Sequence, residues 1–389
     1  MTQAIDLQGT CDKRFSGVKE AFQAHFGAGK EIGAAVAVTV AGRPVVDLWG
    51  GHMDVHKTRP WQPDTLVNVY STTKGMTATC AHRLVDQGRL NIDQRVIHYW
   101  PEFAQCGKEQ ITVRQLLSHR AGLPAISVPL DPESVFEWRV MTEAIAAQKP
   151  WWPPGTRHGY HARTFGWLLG ELVRRTTGKT VGTYFHEEIA GPLGLDFHIG
   201  LKKSQHHRVA PIGKVPPPPP GTTPNLIDMM RSRPESVTSK AFTNPNIYRL
   251  GDVANSAAWR SAEIPSSNGH GTARDLARLY GALACGGSID GIQILSTESV
   301  EAALTEQARG EDAVLRIETR FGLGFMRPVP GARMGPNDNA FGHPGTGGSV
   351  GFADPEARVG FGYVMNKCGS SILIDARPTA LIEALYEVL

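Results

Sequence analysis

The sequence predicts an α+β fold: an antiparallel sheet flanked by helices and built from both chain ends, with a mainly helical segment inserted between them. Three observations lead there. β-rich runs gather near the two ends, over 32–51 and 321–367, whereas 111–195 shows helical periodicity broken by loops. The C-terminal runs are separated by tight turns and not by the helical crossovers that parallel strands need. Residues 376–389 then return to a helical pattern. The expected division is an α/β domain of residues 1–100 and 270–389, and a helical, loop-rich inserted domain of residues 101–269.

In chain order, residues 14–28 place Phe15, Val18, Phe22 and Phe26 on one helical stripe. The run IGAAVAVTVAGRPVVDLWGG (32–51) predicts two strands around a turn at Ala41-Gly42-Arg43-Pro44. Residues 71–88 predict a helix with Met76, Cys80, Ala81, Leu84 and Val85 on one face and Gly88 as its stop. ITVRQLLSHRAGL (111–123) reads as a short helix with a glycine stop, and TFGWLLGELVRRTTGK as a strongly apolar one ending at Gly178. Residues 200–265 are loop-rich, and the five prolines Pro216 to Pro220 form a stiff, extended surface excursion. GTARDLARLYGALACGG is a helix with Thr272 as N-cap. After the β-rich run FGLGFMRPV, VGFADPEARVGFGYVMNK alternates small and apolar residues around Asp354-Pro355-Glu356-Ala357, the pattern of a hairpin.

Composition excludes several functions. Hydrophobic residues make up 41% and charged residues 20% of the 389, an ordinary globular balance. Lys and Arg number 40 against 37 Asp and Glu, with no dense basic run, so nucleic acid is not expected as a partner. The five scattered cysteines form no C-x-x-C pair, which predicts reduced thiols and a cytoplasmic location. The first residues show no apolar leader, and the apolar runs are too short for a membrane span, so no membrane partner is expected. H-E-x-x-H and G-x-x-x-x-G-K-[ST] are absent. His52 and His56 stand four apart on a turn-like segment without a neighbouring Glu, and His206-His207 falls in a polar loop. Neither a metal nor another cofactor is expected. His119, in LLSHRAGL, is expected to hold a loop by hydrogen bonds.

Two serine motifs compete for the chemistry. Gly347-Gly348-Ser349-Val350-Gly351 spells G-x-S-x-G, the nucleophile box of many esterases. It leads into a hairpin instead of a nucleophile helix, and no histidine follows it. It is therefore read as an accident of a glycine-rich strand. Ser71-Thr72-Thr73-Lys74 is S-x-x-K, and on a helix residues i and i+3 share a face, which brings the Lys74 amine to the Ser71 hydroxyl. Ser71 also sits at the helix start, where free N–H groups and the dipole stabilise negative charge. A base within reach and donors for an oxyanion are what an activated serine needs. A second S-x-x-K, Ser16 to Lys19, lies in a charged amphipathic segment and reads as a surface pair. Ser71 differs in its setting, with strand-like LVNVY before it and the small residues Gly75, Thr77, Ala78 and Ala81 after it.

With YSTTKGMTA, LLSHRAGLPA, PPGTRHGYHA, SSNGHGTARDLARLYGAL and GHPGTGGSVGF in this order, the chain resembles the serine β-lactamase-like hydrolases over residues 15–389. These include class C β-lactamases, DD-peptidases and the β-lactamase-fold (family VIII) carboxylesterases. The resemblance implies a β-lactamase/transpeptidase-like fold, Ser71 as acylating nucleophile and Lys74 as its partner. It places the family's Y-x-N on Tyr160-His161-Ala162, which makes Tyr160 the phenol or phenolate that works with Lys74 and later activates the deacylating water. An ammonium beside Tyr160 would lower its pKa. Read without the resemblance, Tyr160 is a buried aromatic on a turn.

The family's K-T-G position falls on His343-Pro344-Gly345. Thr346 then supplies a second oxyanion N–H beside that of Ser71, and the glycine-rich strand at Gly345 lets substrate approach the backbone. Two departures stand out: Ala162 replaces an asparagine that holds a lactam side-chain amide, and His343 replaces a lysine that engages the lactam carboxylate. His343 is expected to charge near neutral pH and keep some anion affinity. By the same resemblance Trp152, with Trp151, and Tyr248 wall an acyl pocket. The function implied is a serine carboxylesterase that hydrolyses small-molecule, short-chain acyl esters through an acyl-enzyme, with weak β-lactam hydrolysis. Its alternatives are a β-lactamase, a D-amino-acid amidase or peptidase, an acyltransferase, and a penicillin-binding-like module that binds without turnover. The natural ester and the oligomeric state are not legible.

Overall fold

The computed structural model describes residues 5–221 and 225–389. Its sheet is antiparallel and six-stranded, with strands β1 (Gln8–Cys11), β2 (Gly33–Val40), β3 (Arg43–Gly51), β4 (Phe341–Pro344), β5 (Val350–Asp354) and β6 (Val359–Met365) in the order β1-β3-β2-β6-β5-β4. The two chain ends meet in its centre, where β6 pairs with β2 from Val359 opposite Val40 to Met365 opposite Ala34. The β2–β3 turn puts both Ala41 (φ 49°) and Gly42 (φ 80°) in the left-handed region. That twist suits a two-residue hairpin. In the β5–β6 hairpin, the Asp354 carboxylate accepts from the N–H groups of Glu356 and Ala357.

Helices α1 (Ser16–Gly27), α2 (Thr73–Asp86), α3 (Thr164–Thr177), α4 (Ala273–Ala284) and α5 (Ala376–Tyr386) frame this sheet. Helix α4 lies directly on β6, where a Cβ at Gly360 would stand 2.2 Å from the Gly281 nitrogen and one at Gly362 2.2 Å from the Ala273 carbonyl. The small residues of VGFGY thus set the sheet–helix spacing. Thr272 and Asp275 form a reciprocal capping box at the head of α4. On the other face, Phe26 of α1 packs over Gly50, and α5 runs beside α1 with Ala384 against Gly17.

Helix α2 is wrapped on all sides: every residue from Thr73 to His82 is buried. Gly75 admits the Tyr280 ring of α4, because a Cβ there would meet the Tyr280 hydroxyl at 2.1 Å. Helix α3 ends at Gly178 in the left-handed conformation (φ 74°). Residues between α2 and α4 otherwise form short helices and loops. Among the described residues no helix is long and apolar enough to cross a membrane.

Two local expectations change. The helix at Val113–Leu117 ends through His119 (φ 58°), not a glycine, and Gly122 (φ 72°) serves a later bend against the Trp152 carbonyl. In 321–329, pairing stops early: the strand is Glu318–Phe321, paired with Ala308–Glu311, and beyond it there are isolated bridges, of Met326 to Gly342 and Phe321 and of Val329 to Ala332. Gly322 and Gly324 pack there against the Ala303 carbonyl and Ala78, which draws the backbone away from a ladder. The proline run lies at the surface, and Pro216, Pro218 and Pro219 also border a deep cleft.

Candidate active site

The S-x-x-K serine is held at the cleft by a braced entry to α2. The Val69 N–H donates to the Gly269 carbonyl (2.9 Å), and Thr73 Oγ1 donates to Tyr70 O (2.5 Å) while accepting from Gly269 N–H (2.8 Å). Between them Tyr70 adopts φ 45°. A bulky residue reaches the left-handed region only when its surroundings over-determine it. The chain then turns into a short 3-10 segment, Tyr70–Thr72, that continues as α2 and presents half-buried Ser71 at the cleft.

Lys74 lies fully buried one turn further. Its Nζ donates to the carbonyls of Ala162 (2.8 Å) and Ser266 (2.9 Å) and stands 3.2 Å from Ser71 Oγ. Carbonyls only accept. A neutral amine has two hydrogens for these two carbonyls, and its lone pair then faces the Ser71 hydroxyl. Burial, and secondarily the Arg163 guanidinium, holds the Lys74 pKa well below its ordinary value and favours this neutral form.

Tyr160 is oriented from behind, its backbone N–H donating to buried Asp312 (3.0 Å). Its phenol stands 3.4 Å from His343 Nε2 and borders the cleft together with Ser71, and Lys74 Nζ lies 4.8 Å above its ring. Burial pushes the phenol pKa up, not down as the sequence suggested, because the amine beside it is itself held uncharged. His343 also departs from expectation. It is buried, its Nδ1 lies 2.7 Å from the Pro344 carbonyl, and burial lowers its pKa to about 3. It borders the cleft as a neutral ring and attracts no anion near neutral pH.

Thr346 is exposed at the cleft rim, in a turn closed by Gly348 N–H donating to Gly345 O (3.1 Å). Gly345 itself does not border the cleft. A Cβ there would meet the Val69 carbonyl at 2.2 Å and Ser349 Oγ at 2.3 Å, so the close approach it permits is to the segment that leads into Ser71 and not to the cleft. Ser349 is buried, with its hydroxyl donating to Val69 O (2.8 Å) and 3.2 Å from Thr72 Oγ1. Trp152 is likewise placed elsewhere. It is buried against Gly122 and Gly159, with its indole N–H on the Arg157 carbonyl, because this packing closes the loop ahead of Tyr160. Tyr248 does line the cleft, 5.9 Å from the Arg163 guanidinium.

The cleft encloses about 1010 Å³, and Ser71, Tyr160, His343 and Thr346 border it beneath apolar walls that include Leu226, Met230, Phe242 and Ile372. Among the described residues no cluster of three or more His, Cys, Asp or Glu is placed to hold a metal. Sequence reasoning missed Asp312, Arg163 and Ser266. Asp312 supports Tyr160 from 152 positions away and carries no local signature. Ser266 acts through its backbone carbonyl, which no side-chain pattern encodes.

A family model described as Beta-lactamase matches residues 18–384. The chain belongs to the β-lactamase family. Within that family it is similar to the esterase/beta-lactamase LipL of Mycobacterium tuberculosis, with 39% identity over 373 residues that span 94% of this chain and 84% of that protein. Among solved structures, it resembles a penicillin-binding protein homologue from Caulobacter crescentus (44% identity, TM-score 0.91) and a family VIII carboxylesterase (41% identity, TM-score 0.88). Each match covers 99% of this chain and 100% of the other. This member of the β-lactamase family thus has the fold expected of it, an antiparallel sheet with flanking helices.

Proposed function

We propose that the protein is a serine carboxylesterase acting on small neutral esters through an acyl-enzyme. The observation that carries this is the hydrogen-bond arrangement at Lys74, whose two carbonyl partners leave its lone pair for Ser71. As Ser71 Oγ bonds to the ester carbonyl carbon, its proton passes to Lys74 Nζ. The N–H groups of Ser71 and Thr346 receive the oxyanion. Collapse breaks the bond to the alkoxide, which leaves with the proton from Lys74. Water then bonds to the acyl carbon beside the Tyr160 oxygen, Lys74 takes one of its protons, and the carboxylic acid departs as Ser71 Oγ is reprotonated. No cofactor enters these steps.

Relatives named esterase and family VIII carboxylesterase support this reading. So do Ala162 and the neutral His343, which leave no side-chain amide and no cation where the β-lactam pattern puts them. Weak lactam turnover follows from the shared acyl-enzyme. Five unpaired cysteines fit a reducing, cytoplasmic setting. The test is a short-chain aryl ester and a chromogenic cephalosporin on the purified protein. Ester turnover faster than lactam turnover, lost by about 10⁴-fold in Ser71→Ala, is expected. Lactam turnover alone rejects the esterase, a stable adduct without turnover favours a binding module, and full activity in Ser71→Ala rejects the assignment.

A further inference from the structure

The His343 ring has one defined tautomer. Its Nδ1 lies 2.7 Å from the Pro344 carbonyl oxygen, an acceptor only, so Nδ1 carries the hydrogen. Nε2 is then left with a lone pair, and it faces the Tyr160 hydroxyl at 3.4 Å. That separation is long for a finished bond, as hydrogen bonds at unliganded sites often are. The rings tilt 32° with centroids 5.8 Å apart. With the ring buried and uncharged, Nε2 stays an acceptor across the working pH range. A lysine ammonium in its place has no lone pair and would donate to the phenol instead.

We propose that His343 is a positioning residue for deacylation: Nε2 holds the Tyr160 hydroxyl hydrogen, so the phenol oxygen turns its lone pairs toward Ser71 and the incoming water. The proposal rests on the acyl-enzyme reading above and assigns His343 a role other than substrate anchoring. In the acyl-enzyme, Ser71 Oγ has no hydrogen to offer, and the phenol oxygen is free to accept from water. Water's oxygen bonds to the acyl carbon, one of its protons goes to Lys74, and the Oγ–carbon bond breaks as that proton returns to Oγ. His343 gains no proton in this cycle. It fixes the direction of a rotor that otherwise turns its hydrogen toward the water and blocks it.

Stopped-flow kinetics with a p-nitrophenyl ester separates the two steps, because burst rate reads acylation, steady state reads deacylation, and burst amplitude counts folded sites. For His343→Leu the burst rate should stay within about threefold of wild type while deacylation falls at least about tenfold, with acyl-enzyme visible on Ser71 by intact mass. His343→Gln, whose amide oxygen can accept from the phenol, should restore deacylation to within about threefold. Tyr160→Phe should show the same deacylation loss, and adding His343→Leu to it should change little, since the two act through one hydrogen bond. The proposal is overturned if His343→Leu slows both steps equally, if Gln does no better than Leu, or if the losses multiply in the double variant. Failure of the underlying reading looks different: Ser71→Ala would keep its ester turnover, or no acyl adduct would form on the protein even in the variants that slow turnover.

Discussion

Ser71 and Ser349 have the same functional group and opposite circumstances. The Ser71 hydroxyl meets a buried amine and faces the cleft that Tyr160 also borders, whereas the Ser349 hydroxyl is tied to Val69 O and Thr72 Oγ1 beneath the segment that leads into Ser71. Ser349→Ala should keep substantial esterase activity yet lose about 1–2 kcal/mol of stability, read by urea midpoint, because buried partners lose their hydrogen-bond donor. Lys74 carries a prediction in pH. Its folded pKa lies below its unfolded value, so between those two values the unfolded chain binds a proton that the folded chain does not. Stability from this group therefore rises with pH and is lost as pH falls through the folded pKa. The wild-type minus Lys74→Met difference in unfolding free energy should grow from pH 7 to 9.5, and the wild-type rate should fall on the acid side as the ammonium forms. His343, lowered to about 3, should add no inflection near pH 6.5.

At the scale of elements, packing distances decide more than propensity does. Gly360 and Gly362 let α4 lie on the sheet, and α4 in turn carries Tyr280 into the notch left by Gly75 of α2. Gly360→Ala would drive a methyl into the Gly281 backbone and should cost about 1–3 kcal/mol, with kcat falling as α2 shifts, measured by thermal melt and ester assay together. Most helices were legible from capping and periodicity, as at Thr272 and Gly178. The run 321–329 was not, because its glycines answer to Ala303 and Ala78, neighbours that local periodicity cannot reveal.

Across the whole molecule, the chain ends are joined both by the β2–β6 pairing and by a buried ionic knot. Arg377, at the start of α5, donates to Glu31 (3.1 Å), to Asp375 and to the Gly347 carbonyl (2.7 Å), while Tyr363 donates to the other oxygen of Glu31. This links α5 and the segment ahead of β2 to the turn that bears Thr346. Burial raises the Glu31 pKa to about 7 even beside Arg377, so in Arg377→Leu the carboxyl takes up a proton near neutral pH, and the lost hydrogen bonds should lower unfolding free energy by about 1–3 kcal/mol at pH 7 and by more at pH 9 in urea titration. Adding Glu31→Gln should remove the extra loss at pH 9, since no proton then has to be taken up on folding.

The sequence by itself determined the α+β class, the hairpins at Ala41-Gly42 and Asp354–Ala357, and the preference for Ser71 over Ser349, because turn chemistry, periodicity and i, i+3 spacing act over a few residues. Its motif order also brought Tyr160, His343 and Thr346 to attention. Only the tertiary structure decided their states. Burial and the Ala162 and Ser266 carbonyls favour a neutral amine at Lys74, Pro344 selects the His343 tautomer, and Asp312 aims Tyr160. It also removed Trp152 and Gly345 from the cleft wall. Protonation and hydrogen-bond direction depend on solvent exclusion and on partners far away in the chain, and both exist only once the chain has folded.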